Sequence, residues 1–263
     1  TFWHGLAPIS EQDLRSADLA QGREAAVSIL TGRFETADVF GFKDPRTSIL
    51  LPFWQSVFEE MGVSDGYVFA IRNPLSVAES LHRRNTIDRE KALCLWVKYT
   101  LEAVRYTHGK PTVLVDFDLL LDDPLRHLQR IARGLSLQPC DPDSVEAQDY
   151  VGSFLSKSLR RSQHGLDGDP LQFRAPGLPR ELYASLLRSA DDEGGFDDYR
   201  SAAFWGEAEK EFSRYPDLFQ YVDRTVASAE RAELAAKDAQ KLQALAEKRQ
   251  QASEEQQKKV DER

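Results

Sequence analysis

Two short apolar runs in this chain end alike, and that ending constrains the fold more than any other sequence feature. Val39-Phe40-Gly41-Phe42-Lys43 and Gly66-Tyr67-Val68-Phe69-Ala70-Ile71-Arg72 each finish on a cation, with Pro45 and Pro74 two residues further on. A third run, Thr112-Val113-Leu114-Val115-Asp116-Phe117, ends on an acid. Runs with so little polar alternation read as strands of a parallel sheet covered on both faces. The intervening segments read as helices. Ser10-Glu11-Gln12-Asp13 resembles a capping box opening a helix to about Leu30. Another helix runs from about Leu50 to Met61 and is closed by Gly62. Asp88 caps a long helix with Leu93, Trp96, Val97, Thr100, Leu101 and Val104 on one face, and Gly109 ends it. A further helix covers about Pro124 to Leu135. Alternating strands and helices of this kind predict an α/β fold, a parallel sheet flanked by helices.

Composition excludes several classes. With 41% hydrophobic residues, the bulk of the chain has enough apolar surface to fold. A formal charge of -9 argues against general nucleic-acid binding, which needs a basic face. No run approaches ~20 apolar residues, so no membrane span is expected. Cys94 and Cys140 make neither a disulfide framework nor a metal cluster, and the five histidines are scattered. No metal is expected, and a reducing cytoplasmic setting is. From Thr225 to Arg263 there is no Gly, Pro or aromatic residue, and eight basic residues balance eight acidic ones. Residues 1–223 are therefore read as the domain. Residues 224–263 are read as a helical tail, a coiled coil or linker for self-association or an adjacent domain, with Leu234, Leu242 and Leu245 on a thin stripe interrupted by Asp238.

In open parallel sheets ligands bind at the carboxyl ends of strands. Lys43 and Arg72 are delivered to that edge, and the helix entered at Pro74 presents its N-terminus there. Ser80 and Arg84 share one face of that helix. Two guanidinium groups and a hydroxyl suit a phosphate. Arg46 is assigned to holding its turn, Asp116 and Asp118 to a strand-end turn, and Trp205 is expected to be exposed.

Three segments resemble bacterial sulfotransferases that use phosphoadenosine phosphosulfate (PAPS). They are Gly41-Phe42-Lys43-Asp44-Pro45-Arg46 with Leu50-Leu51-Pro52-Phe53-Trp54; Val68 to Pro74 continuing through Ser80 and Arg84; and Leu95-Trp96-Val97 to Tyr99 with Val113 to Leu120 and Asp123-Pro124. The resemblance spans about residues 38 to 135. It implies a P-loop-type parallel sheet and PAPS as donor, with Lys43 stabilising the sulfuryl group in transfer to a carbohydrate or glycan hydroxyl. It also implies Arg72 and Ser80 as 3'-phosphate ligands, beside which Arg84 is a candidate from its shared face with Ser80, and Arg160, in Leu159-Arg160-Arg161-Ser162, as a late contact to the nucleotide. The Gly-rich loop for the 5'-phosphosulfate is not found in the sequence. The expectation is that the first strand, loop and helix precede Thr1, leaving this chain alone an inactive fragment with a gap in its sheet. Two alternatives are a small-molecule P-loop kinase and a non-catalytic sulfotransferase-like scaffold that assembles through its tail.

Overall fold

The computed structural model describes residues 3–155, 177–191, 203–214 and 216–261. These residues are mostly helical, with one small parallel sheet, in keeping with a coarse α/β class. The chain divides into two compact units, residues 1–4 with 8–214 and residues 5–7 with 215–263.

In the first unit, Ser10 caps α1 (Glu11–Leu14), its hydroxyl accepting from the Asp13 amide at 3.1 Å. The expected single helix to Leu30 is broken there. A 3₁₀ turn at Ala17–Leu19 intervenes, and α2 runs over Ala20–Phe34. The segment Val39 to Lys43 is not a strand. Its aromatic side chains pack instead: Phe40 joins the α2 cluster of Ala26 and Leu30, and Phe42 lies 4.8 Å from Trp54 between ring centroids. No neighbouring strand among the described residues pairs its backbone, and side-chain packing fixes it without a ladder.

Helix α3 (Thr47–Met61) ends at Gly62, whose φ of 64° is the left-handed cap that glycine adopts without steric cost. Strands β1 (Tyr67–Ile71) and β2 (Thr112–Asp116) pair in parallel, with Ile71 opposite Asp116. Between them come α4 (Pro74–Asn85) and α5 (Arg89–Tyr106). All six residues expected on the apolar face of α5 are buried. Asp88 stands at its N-cap position without a side-chain cap bond.

After β2 come α6 (Phe117–Asp122), α7 (Pro124–Gly134) and α8 (Val145–Asp149). The strand therefore stops at Asp116, and Asp118 belongs to a short helix rather than to the sheet. Beyond them lie α9 (Leu178–Asp191) and α10 (Ala203–Phe212). The main core joins Ile71, Trp96, Leu101, Leu114, Leu182 and Leu186. Trp205, expected to be exposed, is buried in the same core at 6% exposure, because α10 packs its apolar residues against α5. The sheet is also not covered on both faces: Val68 is 46% exposed and Ala70 is exposed.

The second unit is built on α11 (Pro216–Asp261), a 46-residue helix ~69 Å long at 1.5 Å per residue. Within it the Asp223 carboxylate accepts the amides of Leu6 and Ala7, each at 2.8 Å. Leu234, Leu242 and Leu245 are exposed.

Candidate functional site

The carboxyl edge of the sheet gathers the polar groups that matter. Arg72 follows the last residue of β1, and Phe117 follows the last residue of β2. Because Ile71 and Asp116 are register partners, Arg72 and Phe117 are neighbours across the edge. The Arg72 guanidinium lies 4.5 Å from the centre of the Phe117 ring, a cation–π contact. The Trp96 indole N–H, from α5, donates to the Arg72 carbonyl at 3.1 Å and fixes the backbone. Arg72 Nε and Nη2 are buried and have no hydrogen-bond partner among the described residues. Burying guanidinium donors without an acceptor is costly, so this edge suits an anion.

Asp116 is 1% exposed and held by three donors. Its Oδ1 accepts the amides of Asp118 at 2.9 Å and Leu119 at 3.1 Å, capping α6. Its Oδ2 accepts the Tyr183 hydroxyl of α9 at 2.9 Å. Burial raises the Asp116 carboxyl above its usual range, against the lowering effect of these bonds. Burial also raises the Tyr183 phenol, and the neighbouring Asp116 adds to it.

The entrance to α4 is less open to an anion than helix geometry suggests. Pro74 carries no N–H, and Asn73 caps the helix by accepting the Leu75 amide at 2.9 Å. Arg72, rather than a set of bare amides, is the donor this edge offers. Ser80 lies on α4 and is half-buried, two turns into the helix. Arg84 is exposed and donates to the Asn85 side chain at 2.9 Å. Ten residues separate Arg84 from Pro74, so it stands ~15 Å along the helix from the entrance. The structure thus keeps Arg72 at the edge and carries Arg84 away from it.

Lys43 is exposed, in the loop before α3 and not at a strand end. Asp44 pairs with Arg46 at 2.5 Å, and Glu59 with Arg15 at 3.1 Å. The hydrogen bonds from Arg46 hold the Asp44 carboxyl down at about 2. Arg46 therefore serves its turn, as expected. Arg160 lies outside the described residues. Cys94 and Cys140 are free and half-buried.

Sequence reasoning missed Asn73, Phe117, Trp96 and Tyr183 as members of this edge. Asn73 was legible as a cap residue directly before a helix-starting proline. Phe117 could have been found by placing it one step beyond a strand end. Nothing in the sequence near Tyr183 links it to Asp116, 67 residues away. Comparison with family models, with curated proteins and with solved structures gives no match to this chain.

Proposed function

We propose that this chain is part of a PAPS-dependent sulfotransferase whose donor 3'-phosphate is gripped by Arg72. The observation that carries this reading is the buried, unpartnered Nε–Nη2 edge of Arg72 at the carboxyl end of a parallel strand. That edge is the bidentate face with which arginine pairs a phosphate. In this reading Ser80, half-buried two turns into the following helix, supplies a hydroxyl to the same anion. In the reaction the sulfur–oxygen bond to the donor's 5'-phosphate breaks, and a bond from sulfur to an acceptor hydroxyl oxygen forms. The hydroxyl proton leaves to a base, and adenosine 3',5'-bisphosphate is released. Lys43, a cation on a loop, takes the role of neutralising charge that develops on the sulfuryl and leaving oxygens. The acceptor is a carbohydrate or glycan hydroxyl.

The finer fold in this reading is a P-loop-type sheet of which β1 and β2 are two strands. In such a sheet further strands would pair with the outer edges of β1 and β2, which among the described residues pair only with each other. The tail is read as a coiled-coil or linker helix, with Leu234, Leu242 and Leu245 as its apolar stripe.

Titration calorimetry with adenosine 3',5'-bisphosphate tests the donor site. Wild-type protein is expected to bind, and Arg72→Ala to bind at least tenfold more weakly. The loss of one charge-assisted contact is worth about 1.5–3 kcal/mol. Equal binding by the two proteins, or none by the wild type, would overturn the assignment.

A further inference from the structure

We propose that Tyr183 is a positioning residue for the Arg72 anion site, acting through Asp116 and Phe117; the functional meaning of this rests on the donor-site reading above. The chain of contacts is short. The Tyr183 hydroxyl donates to Asp116 Oδ2 at 2.9 Å. The other oxygen of the same carboxylate accepts the amides of Asp118 and Leu119 at 2.9 and 3.1 Å. Those two bonds set the first turn of α6, whose first residue is Phe117. The Phe117 ring in turn lies 4.5 Å from the Arg72 guanidinium carbon.

A carboxylate held by two amides alone keeps freedom about its side-chain torsions. A third donor on its second oxygen removes that freedom. Tyr183 is itself fixed: it is 5% exposed and packs edge-on against Trp96, with ring centroids 6.3 Å apart. Trp96 holds the Arg72 backbone carbonyl at 3.1 Å. The helix carrying Tyr183 thus steadies Arg72 twice, through the ring beneath its guanidinium and through the indole at its carbonyl. The hydroxyl is the separable part, because Tyr183→Phe keeps the ring packing and removes only the bond to Asp116. A guanidinium held in one orientation loses less freedom on meeting a phosphate, so the positioning is expressed as affinity.

Two readouts on the whole chain test this. In isotope-labelled protein the buried Arg72 Nε–H is expected to give a slowly exchanging signal displaced by the Phe117 ring current. Tyr183→Phe is expected to move that signal toward the position of an exposed arginine. In titrations with adenosine 3',5'-bisphosphate, Tyr183→Phe and Phe117→Leu are each expected to weaken binding roughly tenfold. Combining them should add little, because both act on one path. Phe117→Tyr, which keeps a ring, should restore binding to near the wild-type level. A Tyr183→Phe protein that only melts earlier, with the Arg72 signal and the affinity unchanged, would show a purely structural tyrosine and overturn the proposal. If Arg72→Ala leaves the affinity unchanged, the donor-site reading fails, while the Arg72 signal still decides whether Tyr183 positions the guanidinium.

Discussion

Gly134 closes α7 against β2, and replacing it with alanine tests how tightly that layer is packed. A Cβ at Gly134 would lie 2.3 Å from Val113 Cγ2. Carbon atoms at rest stand about 3.5–4.0 Å apart, so helix and strand must part by roughly 1.2–1.7 Å or Val113 must leave its rotamer. Neither is easy. Val113 is β-branched and stiff about χ1, and it is 7% exposed within the sheet. Overpacking of this kind costs about 1–3 kcal/mol. The better helix propensity of alanine returns at most ~1 kcal/mol, and less at a helix end. The net expectation is a loss of about 1–2 kcal/mol, which lowers the urea midpoint by roughly 0.5–1 M for a typical slope. The decisive comparison is the same substitution in a Val113→Ala background, where the clashing methyl is gone. There Gly134→Ala should be neutral or slightly stabilising, although Val113→Ala by itself costs about 2 kcal/mol. An equal cost in both backgrounds would refute the steric explanation, and so would unchanged stability of the single variant.

Other expectations follow from the same contacts. His127 is fully buried, with Nε2 unpartnered among the described residues, and burial, then Arg130 and Arg126, hold its imidazole pKa below 6.5 against the weaker opposing effect of Asp123 and Asp191. The unfolded chain therefore takes up the proton first, so stability falls as pH drops below ~6.5; His127→Gln should flatten that limb in urea titrations from pH ~7 to ~5. Arg46→Ala should raise the Asp44 titration midpoint from about 2 toward the ordinary carboxylate value of 3.8, read by carboxyl-carbon resonance, with little effect on stability because the pair is exposed. Trp205→Ala should cost ~3–5 kcal/mol, as removal of a large core residue does; a loss below ~1 kcal/mol would contradict its burial. Asn73→Ala should cost about 1 kcal/mol through loss of the α4 cap.

The sequence by itself determined what local chemistry determines. Gly62 ends α3, Pro74 begins α4, the apolar face of α5 is the buried one, and two of the three apolar runs become parallel strands. Each rests on neighbours within a turn or on a periodic pattern, which a linear reading contains. Arg72 was legible for the same reason, as a cation one step beyond an apolar strand. Tertiary structure decided the remainder. Val39 to Lys43 has strand composition, but a strand exists only where another chain segment pairs its backbone; here Phe40 and Phe42 are held by helix side chains instead. Trp205 sits in a polar stretch of sequence, and only the packing of α10 on α5 shows it to be core. The partners of Arg72 come from α6, α5 and, through Asp116, α9, segments whose approach is set by the burial of one shared apolar core. Long-range proximity of that kind leaves no trace in local spacing, so the sequence placed the guanidinium and the fold decided what surrounds it.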